Sequence, residues 1–282
     1  MVVQHNMQAV NTNRMLGQNV KAVSKSTEKL SSGYKVNRAA DDAAGLSISE
    51  KMRNQIRGLN QAVKNAEDGI SLIQTAEGNM NEIHSILQRM GELAIKARND
   101  INASEDRKTI DDEIQQLKNE ICSITTKAAF NGTKLLNGDM AKTANSSGKR
   151  LQVGAMAGET MTIAISGTSL SKLNLKSVNV LKASGNNIGK NASVAIKRIQ
   201  SAIKNVSAQR SLLGAIQNRL EYTINNLENY SENLTSAESQ IRDTDMATEM
   251  VNYSKNNILQ QAAQSMLAQA NQSNQSVLSL LQ

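Results

Sequence analysis

Apolar residues recur at alternating steps of three and four positions along most of this chain, the spacing that places them on one face of a helix. The pattern predicts a helix that ends at residues 31–33, a second over about 45–99, and a third from an N-cap at Ser104 to about Ala129. The apolar row of the second helix consists of Ile73, Ala76, Met80, Ile83, Leu87, Met90, Ala94 and Ala97. Helical spacing resumes near residue 190. The row of positions at this spacing, here called the seam, includes polar residues that are expected to fix the register of the helices. That longest unbroken seam consists of Ile196, Ile199, Ile203, Val206, Arg210, Leu213, Gln217, Leu220, Ile224, Leu227, Ser231 and Leu234.

The helical pattern is interrupted between residues 130 and 187. Asn-Gly pairs at 131–132 and 137–138 are turn signals, and residues 151–155 and 160–165 alternate apolar with polar side chains, which predicts one β-hairpin. Helices on the two sides of this insert can pair only if the chain doubles back there. The predicted fold class is therefore mainly α, a long antiparallel helical hairpin or coiled-coil rod with a small β-hairpin insert in mid-chain.

Glycines within the predicted second helix are open to two interpretations. Each costs up to about 1 kcal/mol relative to alanine in a helix interior. They indicate either the close approach of a neighbouring backbone or simple tolerance in a well-packed helix, and both interpretations remain open. The four residues are Gly58, Gly69, Gly78 and Gly91.

Composition narrows the fold and the partners. The 282 residues include no proline and only 2% aromatic side chains, so the core is expected to be a thin aliphatic seam. The net charge is +7, but the positive charge is interpreted as dispersed, with no basic run interleaved with aromatics, and no nucleic-acid partner is predicted. The single cysteine excludes a disulfide within one chain.

The two ends of the chain carry no charged side chain over residues 1–13 and 256–282. Uncharged, periodically apolar termini indicate a partner surface, and a polar face of Gln, Asn and Ser favours helix–helix contact over a membrane surface. We expect these ends to be disordered in a free subunit and to fold when buried by copies of the same chain. The predicted self-assembly residues are Leu16, Val20, Val23, Leu30, Leu259, Ala263, Met266, Ala270, Val277 and Leu280.

Catalytic chemistry has little support in the sequence. The chain has two histidines, His5 and His84, no Cys/His spacing suited to a metal, and no HExxH, GxSxG or P-loop motif. Asp41 and Asp42 are placed to cap the second helix, and the acidic residues at 111–113 are interpreted as helix-terminal or solvated charge. Cys122 is interpreted as inert packing. No enzyme activity, cofactor, metal site or membrane insertion is predicted.

Several collinear blocks resemble the bacterial flagellins, and together they cover about residues 1–135 and 190–282. The blocks are Asn11–Leu16, Glu28–Leu46, Gln74–Gly78, Asn131–Leu136, Gln217–Glu221, Glu232–Ala247 and Gln260–Leu281. Cys122 departs from the family, whose members usually lack cysteine.

The resemblance implies a domain organisation in which the two halves of the chain pair. The terminal helices form the inner tube of a filament, a connector forms a spoke, the next helices form a rod, and a short variable segment faces outward without the large outer domains of longer flagellins. The corresponding residues are 1–32 with 247–282, 33–45 with 236–246, 46–129 with 188–235, and 130–187.

The resemblance also implies a function. The chain is expected to be a structural subunit that polymerises into the flagellar filament for swimming, outside the cell, after export through the flagellar secretion apparatus without a cleaved signal peptide. Expected partners are copies of itself, an export chaperone at the C-terminal helix, and the filament cap and hook–filament junction proteins. The alternative is a hook–filament junction protein or a minor flagellin. An enzyme carried in the variable segment is disfavoured, because residues 135–190 contain no His or Cys.

A second activity is implied by resemblance alone. The segment at 87–95 is similar to the part of flagellins that the vertebrate Toll-like receptor for flagellin recognises, although Gly91 stands where an arginine is common. The same residues are equally expected to serve axial packing between subunits. They are Leu87, Gln88, Arg89, Glu92, Leu93 and Glu113.

Overall fold

The computed structural model describes residues 6–99, 101–143, 146–181 and 188–280. Within these ranges the chain forms five α-helices and six short β-strands, so the predicted mainly helical fold with a small β insert is confirmed. The helices are α1 (Met7–Ser32), α2 (Ala43–Ala97), α3 (Ser104–Lys127), α4 (Ile188–Arg242) and α5 (Met246–Leu280). The strands are β1 (Ala129–Phe130), β2 (Thr133–Lys134), β3 (Lys142–Thr143), β4 (Ser146–Ser147), β5 (Lys149–Gln152) and β6 (Thr160–Ile163).

The described residues divide into two compact units. One unit joins the residues up to Gln55 with those from Glu232 onward, and the other comprises residues 56–231. The first unit therefore contains both ends of the chain, and the second contains α3, the β insert and the facing parts of α2 and α4.

Helix ends follow local side-chain chemistry. Gly33 ends α1 with a left-handed backbone (φ +76°), and Asp42 accepts a hydrogen bond from the Gly45 N–H (2.9 Å) at the start of α2, as predicted for that residue. The prediction that Ser104 caps α3 is wrong by one position. The cap residue is Ala103, because the Asp106 carboxylate accepts a bond from the Ala103 N–H (3.2 Å) and holds the first turn in place.

The core of the 56–231 unit is a thin aliphatic seam. α2 and α4 run antiparallel, since Asn60 bonds Ser231 (3.2 Å) and Glu77 pairs with Arg210 (3.5 Å). Of the three polar seam members, Arg210 and Ser231 thus bond across the two helices, whereas Gln217 bonds Glu221 on its own helix. The predicted α2 seam is buried throughout: Ile73, Ala76, Met80, Ile83, Leu87, Met90, Ala94 and Ala97.

The β insert contains three two-stranded antiparallel hairpins within the described residues. The predicted hairpin is confirmed as β5–β6, where Leu151 lies opposite Met161. The pairs β1–β2 and β3–β4 were not predicted, because two-residue strands carry no alternation to detect. Asn131 and Gly132 both have positive φ (46° and 74°), which is the two-residue turn that joins β1 to β2.

The α2 glycines divide between the two interpretations. A Cβ at Gly58 would lie 2.9 Å from the Ala155 Cβ, and one at Gly69 would lie 2.6 Å from the Leu151 Cδ2. A Cβ at Gly78 would meet nothing within 4 Å. The first two therefore permit close approach of the β5–β6 hairpin, whereas Gly78 is merely tolerated.

Substitution by alanine should separate these two classes. We expect Gly58→Ala to destabilise the subunit by about 1–2 kcal/mol, because Ala155 has no side-chain rotamer that could relieve the clash. The control Gly78→Ala should stabilise it by up to about 1 kcal/mol, since alanine has the higher helix propensity. Urea unfolding of the two variants measures both changes. An equal stabilisation by both would contradict the close-approach interpretation.

Candidate assembly interface

The two terminal helices pair antiparallel. The Asn6 amide donates to the Ala270 carbonyl (2.9 Å), the Asn19 amide donates to the Leu259 carbonyl (3.3 Å), and Lys29 and Glu249 form an ion pair (3.7 Å). The pairing brings the two ends of the chain side by side in one unit.

The contact between the two terminal helices mixes polar and apolar side chains. Ser26 of α1 and Ala270 of α5 are buried there, and Leu16, Asn19 and Val23 are half-buried. Other large apolar side chains of both helices are exposed to solvent. Pairing of α1 with α5 therefore covers only part of their apolar surface, and within the described residues the rest has no partner. The exposed residues, which we name the outer apolar face, are Met7, Val10, Met15, Val20, Met246, Met250, Val251, Ile258, Leu259 and Met266.

The predicted self-assembly residues fall on both sides of this division. Leu16, Val23, Leu30 and Ala263 are half-buried, and Ala270 is buried. In contrast, Val20, Leu259 and Met266 belong to the outer apolar face. Val277 and Leu280 lie in α5, but their side chains are outside the described part of the structure.

The connector between α1 and α2 pairs with the break between α4 and α5. The Lys35 N–H donates to the Arg242 carbonyl (2.6 Å), and the Thr244 N–H donates to the Gly33 carbonyl (2.9 Å). The Arg242 guanidinium lies 4.5 Å from the centroid of the Tyr34 ring, which is a cation–π arrangement, and it also pairs with Glu50 (3.1 Å). One arginine thus joins three segments of this unit.

Two aspartates hold the same region by accepting hydrogen bonds. The Lys25 ammonium, 2.9 Å away, lowers the pKa of Asp41, and the Arg38 N–H adds to this effect. The Thr248 hydroxyl and N–H lower the pKa of Asp245, which caps α5. Because both carboxyls favour the charged form, their contribution to stability is present at neutral pH and is lost as pH falls through their depressed pKa values.

A charged cluster on the 56–231 unit contains some of the residues expected to bind the receptor. Arg89 pairs with Glu113 (2.9 Å) and Glu92 (3.3 Å), all three side chains are exposed, and Glu113 raises the pKa of Arg89. Gln88 is also exposed, and its amide contacts His84 (3.1 Å). Leu87 and Leu93 are instead buried in the core.

Sequence reasoning missed a buried charged pair on α3. The Asp111 carboxylate accepts a hydrogen bond from the Val180 N–H (2.9 Å), and the Lys118 ammonium donates to the carbonyls of Lys176 (3.3 Å) and Val178 (3.1 Å). Burial lowers the pKa of Lys118, and the Asp111 charge opposes that effect. The sequence does indicate that these two positions are buried, because residues 111, 114, 118, 121 and 125 follow the same three-and-four spacing as the apolar seam. The pair tethers residues 176–180 to α3.

Removing the Lys118 ammonium should weaken the 56–231 unit. We expect Lys118→Met to destabilise it by about 2–4 kcal/mol, because methionine keeps the apolar stem but leaves two carbonyls without their donor. The control Lys127→Met, at an exposed position on the same helix, should change stability by less than about 0.5 kcal/mol. Urea unfolding measures both, and equal stability of the two variants would contradict the tether.

The described residues hold little that suggests other chemistry. No group of three or more His, Cys, Asp or Glu is placed among them to bind a metal ion. No helix in the described ranges has an apolar stretch long enough to cross a bilayer. Cys122 is exposed on α3.

Comparison with known proteins decides the family. Residues 3–141 match the bacterial flagellin N-terminal helical region, and residues 196–281 match the bacterial flagellin C-terminal helical region. The chain belongs to the bacterial flagellin family. The flagellin of Halalkalibacterium halodurans is 52% identical over the full length of both chains. The flagellar filament 31.3 kDa core protein of Treponema maltophilum is 44% identical, also over the full length of both.

Among solved structures, this flagellin resembles a putative flagellar hook-associated protein from Vibrio parahaemolyticus. The TM-score is 0.59 over 72% of this chain and 100% of that chain, at 15% sequence identity. A likeness at that identity indicates a shared helical fold. The full-length sequence matches, by contrast, are to flagellins and filament core proteins.

Proposed function

We propose that this flagellin is the structural subunit of a bacterial flagellar filament and polymerises through its terminal helices. The observation that carries the proposal is the outer apolar face, which the α1–α5 pair leaves in solvent. A helix with apolar residues on more than one side is stable when neighbours surround it, and copies of the same chain can do so. The full-length relative from Treponema maltophilum, itself named a filament core protein, supports the same conclusion.

The charge-free ends suit such an assembly. Many copies of residues 1–13 and 256–282 can crowd around one axis without repulsion between like charges and without burying an unpaired ion. Head-to-tail contacts that do not close into a ring generate an open helical polymer. Because isolated helices gain most of their stability from packing, the ends fold as the subunit is buried among its neighbours.

The domain roles expected from the family become part of this proposal. The terminal helices form the inner tube, residues 33–45 with 236–246 form the spoke, residues 46–129 with 188–235 form the helical rod, and residues 130–187 face outward. The subunit is exported through the flagellar secretion apparatus, with a chaperone covering α5, and meets the cap and junction proteins at the filament ends. Its place is outside the cell, and its role is structural rather than catalytic.

Electron microscopy of the purified chain tests the filament proposal against its alternative. A filament subunit, concentrated in added salt, should grow by itself into long fibres of uniform width. A hook–filament junction protein would stay as monomers or short closed assemblies under the same conditions, and that result would contradict the proposal.

A second candidate function is binding to the vertebrate Toll-like flagellin receptor. The observation that favours it is the exposed cluster in which Arg89, Glu92 and Glu113 meet on one surface. Arginine in such a position is a frequent source of binding energy at protein interfaces. The buried Leu87 and Leu93 support this surface from below.

Alanine at Arg89 should reduce receptor signalling by about tenfold or more, since one central interface arginine commonly contributes more than about 1.4 kcal/mol. The readout is a receptor reporter assay on the purified monomer. Arg57→Ala, at another exposed position of α2, is the matched control and should leave the response unchanged. An undiminished response with Arg89→Ala would remove the receptor function from the proposal.

A further inference from the structure

Net positive charge is concentrated in one segment of this chain, although basic residues occur throughout it. From residue 160 to residue 220 there is no Asp or Glu, although the segment contains nine of the 32 Lys and Arg. The rest of the chain carries two more acidic than basic residues. The net positive charge of the protein therefore comes entirely from one segment of 61 residues. The interpretation of the net charge as dispersed is wrong.

The structure shapes part of this segment into a groove. The groove, of about 520 Å³, lies between residues 171–177 and the α4 residues 194–205. A second hollow shares Leu173 and Asn205 with it, and we name the two together the basic groove. Among the described residues that line it, none is acidic. Its cationic side chains are Lys172, Lys176, Lys197 and Arg198.

These cations are available to a ligand. Within the described part of the chain, no ion pair involves any of the four. The Arg198 guanidinium donates to the Ser177 hydroxyl, and both residues line the groove. Hydrogen bonds from Lys118 to the Lys176 carbonyl and from the Val180 N–H to Asp111 hold the neighbouring segment 176–180 against α3.

We propose that the basic groove binds a linear anionic glycan, a sugar polymer bearing sulfate, phosphate or carboxylate groups. Four cations that line one groove match the repeated anions of such a polymer, and hydroxyl and amide groups from Ser171, Ser201 and Asn174 suit the hydroxyls of a sugar backbone. The inference rests on the proposed function, because an extracellular, outward-facing segment meets such polymers. A filament would present the groove many times along its length, which strengthens binding by multivalency.

The chemistry favours a glycan over a nucleic acid. Single-stranded nucleic acids are held by stacking bases on aromatic side chains in addition to charge. No aromatic residue occurs between Phe130 and Tyr222, so the groove offers no stacking platform. It provides cations and hydrogen bonds only.

Affinity measurements on the unassembled full-length chain test the proposal. The probes are dextran sulfate, neutral dextran of the same length, and oligo-dT. We expect dextran sulfate to bind with an affinity that falls steeply with salt, neutral dextran not to bind, and oligo-dT to bind more weakly. Glutamine at the four groove cations should weaken dextran sulfate binding by at least about tenfold and flatten its salt dependence. Exchanging the four for the other basic residue type (Lys→Arg and Arg198→Lys) should preserve binding.

A matched control variant distinguishes binding at the basic groove from attraction to positive charge spread over the surface. It carries the same change of net charge at four exposed positions outside the groove: Lys64→Gln, Lys108→Gln, Lys127→Gln and Lys149→Gln. Equal losses in the groove and control variants, or tighter binding of oligo-dT than of dextran sulfate, would overturn the proposal. Co-sedimentation of dextran sulfate with assembled fibres should rank the parent, groove and control variants in the same order. Binding by monomers but not by fibres would show that neighbouring subunits cover the groove, and it would also overturn the proposal. Fibre growth is scored separately by microscopy, so failure to assemble counts against the filament proposal and not against the groove.

Discussion

Aspartate in place of Met250 and Met266 should block fibre growth at the concentrations where the parent chain assembles, and leave the fold of the 56–231 unit unchanged. Both side chains belong to the outer apolar face, and they are 50% and 61% exposed in the single chain, so a carboxylate there remains hydrated until subunits assemble. Assembly then buries two unpaired charges per subunit, each at a cost of several kcal/mol. Since every 1.4 kcal/mol is a factor of ten, the protein concentration needed for assembly should rise by about 100-fold or more. Sedimentation of polymer at a series of concentrations measures that threshold.

The matched control is Met156→Asp. Met156 is also largely exposed (57%), but it belongs to the β5–β6 turn rather than to a terminal helix. Its substitution should leave the assembly threshold unchanged. If the double variant polymerised like the parent chain, or if Met156→Asp blocked assembly to the same degree, the outer apolar face would not be the assembly surface.

Removing about forty residues from each end should block fibre growth at least as strongly as the two aspartate substitutions. A chain without residues 1–40 and 243–282 lacks α1 and α5 but keeps every residue of the 56–231 unit and its buried seam. We expect this shortened chain to remain helical, to unfold cooperatively in urea, and to form no fibres at any concentration. Electron microscopy and light scattering provide the readout. Long fibres from the shortened chain would show that the rod region alone contains the assembly contacts.

The sequence was sufficient for the elements whose structure depends on local periodicity. Every residue of the predicted α2 seam is buried, because a thin aliphatic core without proline and with few aromatics requires a strict helical repeat. The β5–β6 hairpin was equally readable from its alternation and the intervening turn residues.

Other features depend on contacts that periodicity does not contain. The spacing of the terminal helices predicts one row of contact residues, whereas the α1–α5 pair buries Ser26, half-buries Leu16 and leaves Met266 exposed. The spacing of residues 111–125 places position 118 on the buried face of α3, but it does not identify the carbonyls, about 60 positions further along the chain, that accept hydrogen bonds from the Lys118 ammonium. The helix α3 begins one residue earlier than its sequence predicts, where the Asp106 carboxylate accepts a hydrogen bond from the Ala103 N–H.

The uncharged ends are expected to acquire their helical structure through burial among copies of the same chain. Far-UV circular dichroism of the free subunit and of the polymer, at equal protein concentration, measures this change. The free subunit should lack much of the helix signal of the 26 residues of α1 and the 35 residues of α5, and polymerisation should restore it. Equal helicity in the two states would contradict folding on assembly.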